Sequence, residues 1–213
     1  MLAFHDITRP LHNALPPWPG DTAFDYRLTW RMDAGASVNV GALTMGTHNG
    51  THADAPFHFL PGGARIDALD PGVYVGPALV ADVTGAGWTI TRESLAEATP
   101  RLGQDGVSRL LLKTGAWPDG APFPARIPLL APDVPAWLGE RGVRLLGLDV
   151  PSVDAIDSHD LPNHHALAAA GVHILESLDL AAVPAGVYEL IALPLRIAGG
   201  DAAPVRAVLR ALS

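Results

Sequence analysis

Residues 45–59 read Met-Gly-Thr-His-Asn-Gly-Thr-His-Ala-Asp-Ala-Pro-Phe-His-Phe, and this stretch constrains the fold more than any other part of the chain. His48, His52, Asp54 and His58 fall within eleven positions, with no other charged residue among them. Imidazole nitrogens and a carboxylate at that density are the donors a divalent ion of the zinc type takes. Fully extended, the stretch would hold His48 and His52 about 13 Å apart and His48 and His58 about 33 Å apart, too far to share one ion. A helix would bring positions i and i+4 together, but Gly50, between Thr47 and Thr51, disfavours one. A turn at Asn49–Gly50 achieves the same approach. Pro56 then forces Ala55 out of helical space and bends the chain again, which returns His58 toward the site. The stretch is expected to be a shaped loop rather than a regular element, holding most of a metal site and one acid/base residue.

The chain has no cysteine, which excludes disulfides, a thiolate nucleophile and sulfur ligation. A structural zinc is disfavoured on the same ground, since such sites usually close four ligands with cysteine among them. The remaining ligands must be nitrogen and oxygen donors from elsewhere. Residues 159–176 are the richest source, with His159, Asp160, His164, His165, His173 and Glu176. On a helix His164 and His165 point about 100° apart, so at most one faces a given site. Glu176 follows a buried strand, a natural place for a pocket-facing carboxylate. His159, His165 and His173 read more readily as surface polar residues.

With 213 residues, 22 glycines and 20 prolines, the chain suits one sizeable core built from many short strands and turns. Residues 1–23 read as irregular, with Trp18 fixed between Pro17 and Pro19. Composition alone favours a core-edge position for that indole. Strands are expected at 24–32, 38–45, 78–84, 109–114, 144–150, 172–175 and 188–197. Helices are expected from the Thr91 cap to Ala98, from the Asp133 cap to Arg141, and over 163–170 with Asn163 near its cap. The proline-rich segment 115–132 is long enough to cover something. The expected fold is a single α/β domain spanning 1–213, with a curved, mixed and largely antiparallel, barrel-like sheet flanked by short helices.

The net charge of −8 and the lack of any Lys/Arg cluster argue against a nucleic-acid partner. No apolar run reaches the roughly 20 residues of a membrane helix, and the first residues lack the basic and apolar regions of a secretory signal. A cytoplasmic protein acting on a small molecule is the expectation.

The segment His48-Asn-Gly-Thr-His-Ala-Asp-Ala-Pro-Phe-His-Phe59 resembles the His-x-Gly-Thr-His-x-Asp-x-Pro-x-His-Phe signature of the cyclase-type metal hydrolases. Within that family the chain is similar to the bacterial kynurenine formamidases (arylformamidases). Segments at 18–21, 161–166, 173–177, 188–195 and 204–208 carry the likeness nearly end to end. The resemblance implies two zinc ions per subunit, and ligation by nitrogen and oxygen alone also suits manganese or cobalt. His48, His52 and Asp54 would ligate the first ion, His164 the second, and Asp54 and Glu176 would bridge them. It implies His58 as proton donor and acceptor and Trp18 as a wall of the substrate pocket, against the core-edge reading. It also implies a homodimer that hydrolyses N-formyl-L-kynurenine to L-kynurenine and formate in tryptophan degradation, through a hydroxide held on the metal pair. Three histidines and two carboxylates exceed what one tetrahedral zinc with an open position needs. An isatin-hydrolase-like amidase of the same family is the alternative, and a non-catalytic metal-binding protein is a weaker one.

Overall fold

Apolar runs of four to eight residues bounded by glycine and proline favour strands over helices, and strands dominate the structure. It is a computed structural model that describes residues 4–104 and 106–212. In chain order the strands are β1 (Phe4–Asp6), β2 (Asp25–Trp30), β3 (Val40–Thr44), β4 (His52–Asp54), β5 (Val75–Asp82), β6 (Thr89–Ile90) and β7 (Arg109–Lys113). They continue as β8 (Leu129–Leu130), β9 (Leu145–Leu148), β10 (His173–Glu176), β11 (Gly186–Ile191), β12 (Ala202–Pro204) and β13 (Val208–Ala211). The helices are α1 (Arg92–Ala98), α2 (Val134–Glu140) and α3 (Pro162–Ala169).

Nine strands make one mixed sheet curled into a half-barrel, in the order β1-β13-β11-β5-β7-β9-β10-β4-β12. The pairs β5–β7, β7–β9 and β9–β10 are parallel, and the flanking pairs are antiparallel. This is the expected α/β architecture, with a largely antiparallel sheet and short helices. The parallel strands sit at the centre because they need apolar cover on both faces. In β7, Leu110 and Leu112 pack with the helices while Leu111 packs into the opposite layer. Strand β9 behaves likewise, with Leu146 and Leu148 on the helix side and Leu145 on the other. Each such leucine contributes roughly 1.5–3 kcal/mol of burial. Among the described residues no helix is long and apolar enough to cross a membrane.

Several elements differ from the sequence expectation. The stretch around His52 is not all loop: residues 52–54 form β4, hydrogen-bonded between β10 and β12. Residues 4–6 form a strand instead of irregular chain, and two strands, β12 and β13, follow the segment expected to be the last. Asp133 precedes α2 but makes no side-chain cap, whereas Thr91 and Ser94 form a reciprocal capping box on α1. Asn163 lies inside α3. Leu161 occupies the cap position with φ 44°, and the backbone N–H of Asn163 donates to the side chain of Asp154.

Candidate metal centre

Strand alternation decides which side chains meet. Ala53 and Leu175 are paired across β4 and β10, and both pack into the layer away from the helices. Their neighbours His52, Asp54 and Glu176 therefore point to the helix side, where α3 brings down His164. Gly50, at φ 66°, forms the turn before β4 that brings His48 back beside His52, with ring centroids 4.9 Å apart. The backbone beyond Pro56 turns through a short 3₁₀ segment and places His58 over His48, at 4.0 Å between centroids.

Five side chains converge. His48 Nδ1 lies 3.2 Å and His52 Nε2 3.3 Å from Asp54 Oδ1. His164 Nε2 lies 3.5 Å from Asp54 Oδ2, and His52 Nε2 lies 3.4 Å from Glu176 Oε2. Two groups that could hold an ion share Asp54, His48–His52–Asp54 and Asp54–His164–Glu176, and His48, His58 and Asp201 form a third, less buried one. His52 Nε2 and both oxygens of Asp54 are buried and make no hydrogen bond. Buried polar atoms left unbonded cost about 1–3 kcal/mol each, so three of them on two adjacent side chains suit a place for cations. The donor set, nitrogen and carboxylate oxygen with no sulfur, fits zinc, manganese or cobalt.

Electrostatics agree. Burial alone would lower the pKa of His164, but the hydrogen bond to Asp154, the Asp54 carboxylate 3.5 Å away and the charge of Glu176 override it and raise it to about 10. The same competition, with Asp54 and Glu176 as partners, raises His52 to about 10. Burial pushes Glu176 up, and the charge of Asp54 adds to this. For Asp54 burial is outweighed by the imidazoles of His164, His48 and His52, 3.2–3.5 Å away, which hold it well below the usual carboxylate range. The centre is thus built to hold positive charge between two carboxylates. His58 behaves oppositely: burial, with His48 and His164 nearby, lowers it to about 4, so it is neutral near pH 7.

The centre opens into a cavity of about 300 Å³. Its outer wall is aromatic, with Phe123 packed edge-on against Trp18 at 5.4 Å and against Trp117 at 5.7 Å. Trp18 thus lines the cavity instead of a core edge. The 115–132 segment covers this cavity through Trp117 and Phe123. Its start is clamped by Asp149, which accepts the N–H groups of Thr114 and Gly115, and by Arg9, which stacks 3.8 Å over Trp117. Of the histidines set aside, His159 and His165 are exposed, and His173 is half-buried near Tyr74. Sequence reasoning missed Phe123, Trp117, Asp154 and Asp201. A single Asp in a loop carries no periodic signal. Asp201, adjacent to β12, places Oδ2 3.1 Å from His48 Nε2 and 3.9 Å from His58 Nδ1.

With this geometry in place, the likeness to known proteins is specific. A family model described as "Putative cyclase" matches residues 5–155, well over half of the chain. The chain belongs to the cyclase family, and its class is that of metal-dependent hydrolases. It is 47% identical over 206 residues to the kynurenine formamidase of Bacillus thuringiensis (strain Al Hakam), covering 96% of each chain. A solved structure titled "The Structure Of Potential Metal-Dependent Hydrolase With Cyclase Activity" superposes with a TM-score of 0.83 at 28% identity, covering 100% of both chains. Isatin hydrolase A from Labrenzia aggregata, bound to benzyl benzoate, superposes with a TM-score of 0.85 at 26% identity, covering 100% of this chain and 94% of that one.

Proposed function

We propose that this chain, acting as a single domain over residues 1–213, hydrolyses N-formyl-L-kynurenine to L-kynurenine and formate. The observation that carries this reading is a buried cluster of unbonded ligand atoms at the floor of an aromatic-walled cavity, with a neutral histidine beside it that is not needed as a ligand. The near-identical span and 47% identity to a kynurenine formamidase support the choice of substrate.

In this reading His48, His52, Asp54, His164 and Glu176 would hold two metal ions, zinc first. Bound there, the ions supply Lewis acidity and an activated water at neutral pH. The rest falls to the chain. The aryl ring of the substrate lies against Trp18 and Phe123, which sets the formamide at the cavity floor and excludes water from around it. His58, uncharged near pH 7, takes up a proton as attack proceeds and returns it to the departing aryl nitrogen. Asp201, 3.9 Å from His58 Nδ1, steadies the ring as it becomes charged.

A cytoplasmic homodimer completes the proposal. Its support is the β2–β3 hairpin, which among the described residues pairs with no other strand and where Tyr26, Leu28, Trp30, Met32, Val40 and Leu43 are exposed. An isolated two-stranded ribbon is marginal in water, and a contiguous apolar surface of this kind marks an interface.

The same aromatic cavity favours a second reading, a cyclic aryl amide such as isatin, in line with the isatin hydrolase likeness. Parallel assays of the zinc-loaded enzyme on N-formyl-L-kynurenine and isatin separate the two. Our reading expects the formamide to be preferred by kcat/KM, and a preference for isatin would overturn it.

A further inference from the structure

Each imidazole at the centre has a second ring nitrogen pointing away from it, and each of these faces a different acceptor. His52 Nδ1 lies 2.9 Å from the carbonyl oxygen of Gly50, His48 Nε2 3.1 Å from Asp201 Oδ2, and His164 Nδ1 2.7 Å from Asp154 Oδ2. The three acceptors are not equivalent. The first is backbone. Asp201 is at the rim with its side chain 39% exposed, and it also accepts from Thr47 Oγ1. Asp154 is only 2% exposed.

Asp154 is the most tightly held of the three. Its Oδ1 accepts the backbone N–H of Asn163 at 2.9 Å, and its Oδ2 accepts the backbone N–H of His164 at 3.0 Å as well as the ring nitrogen. The left-handed turn at Leu161 and the fixed φ of Pro162 aim the first free N–H groups of α3 at this carboxylate. One side chain therefore caps the helix and orients the imidazole that the helix carries. Its own backbone N–H is bonded to Ser152 Oγ at 3.0 Å, which fixes it from behind.

We propose that Asp154 is the positioning residue for one of two metal positions, the one formed by Asp54, His164 and Glu176. The proposal rests on the two-metal reading above. By accepting the Nδ1 proton of His164, Asp154 makes Nε2, which faces the space between Asp54 Oδ2, 3.5 Å away, and Glu176 Oε1, 3.8 Å away, the nitrogen left to bind an ion once its own proton is displaced. A carboxylate in that role fixes the tautomer and makes the imidazole a stronger donor. Asp154 hydrogen-bonds to His164 and to no other of the five ligands, so its loss is confined to one position. His48 and His52 keep their own supports, Asp201 and the Gly50 carbonyl.

The test compares wild type with Asp154→Asn, which keeps the size and one acceptor for the helix but offers an amide N–H to the ring. Metal-free protein of each kind is titrated with zinc, bound metal is counted by elemental analysis, and the His164 tautomer is read by ¹⁵N NMR of histidine-labelled wild type. The expected result is two equivalents in wild type. The variant should keep one at unchanged affinity and bind the second about 10–100-fold more weakly. His164 should carry its proton on Nδ1 in zinc-loaded wild type. Two equivalents bound by the variant at wild-type affinity would overturn the proposal, as would a proton on Nε2. Should wild type bind a single equivalent, the two-metal reading fails, and the tautomer still decides whether Asp154 positions His164. If the variant does not fold, the wild-type spectrum decides alone.

Discussion

Glu176 and His52 are register partners across β10 and β4, and Glu176 Oε2 lies 3.4 Å from His52 Nε2. The sheet itself thus joins a carboxylate from late in the chain to the histidine stretch. Val153 adds a backbone N–H to Glu176 Oε1 at 2.9 Å, which fixes the carboxylate with Oε1 toward His164 and Oε2 toward His52. Glu176→Gln keeps the shape and removes the charge. We expect it to lose at least one equivalent of metal, measured by elemental analysis after dialysis, and unchanged metal content would remove Glu176 from the ligand set.

Metal binding should release protons. His52 and His164 are raised to about 10 in the metal-free chain, so both carry a proton at pH 7 that an ion must displace. Both lie above the roughly 6.5 of an unfolded histidine. Their contribution to the stability of the metal-free protein is therefore full below about 6.5 and is lost as pH climbs toward about 10. Metal affinity should rise over the same window. Calorimetry in buffers of different ionisation enthalpy reads the release directly, and buffer-independent heats would contradict it.

Trp18 and Phe123 contact each other at 5.4 Å on the cavity wall, away from the ligands. Replacing Trp18 with alanine should raise KM for an aryl formamide several-fold, in line with about 0.5–1.5 kcal/mol of ring stacking. Turnover at saturation should change little. Steady-state kinetics decide, and unaltered KM and kcat would return Trp18 to a purely structural place.

The hairpin predicts an assembly. Trp30 and Leu43 are each 60% exposed on β2 and β3. Charged replacements at both, Trp30→Glu with Leu43→Glu, should convert a dimer to a monomer by light scattering with the zinc content retained. A wild-type chain that is already monomeric at micromolar concentration would refute the interface.

A packing test is independent of the chemistry. A methyl at Gly147 in β9 would lie 2.5 Å from Leu111 Cδ2 and 2.8 Å from Leu178 Cδ1, both in the buried layer beneath the sheet. Gly147→Ala should cost about 1–3 kcal/mol, seen as a fall in Tm, without altering metal stoichiometry. An unchanged Tm would show that this layer is looser than described.

Much of the site was legible because four of its residues lie within eleven positions and interrupt no regular pattern. The central strands β5, β7 and β9 were legible as apolar runs. Strands β1, β12 and β13, of three or four residues, were not, because so short a segment shows no alternation. The cap of α3 was misplaced at Asn163, since the acceptor that serves it, Asp154, comes from an earlier loop. Phe123 and Asp201 join the site only through tertiary contacts, which no local pattern encodes.

Under the proposed function, five converging side chains hold two ions that make the chain a formamidase. The most direct measurement is the rate of N-formyl-L-kynurenine hydrolysis as metal-free protein is titrated with zinc. The account predicts no activity without metal and a rise that levels off at two equivalents per chain. Activity in the metal-free protein, or a plateau at one equivalent, would contradict it.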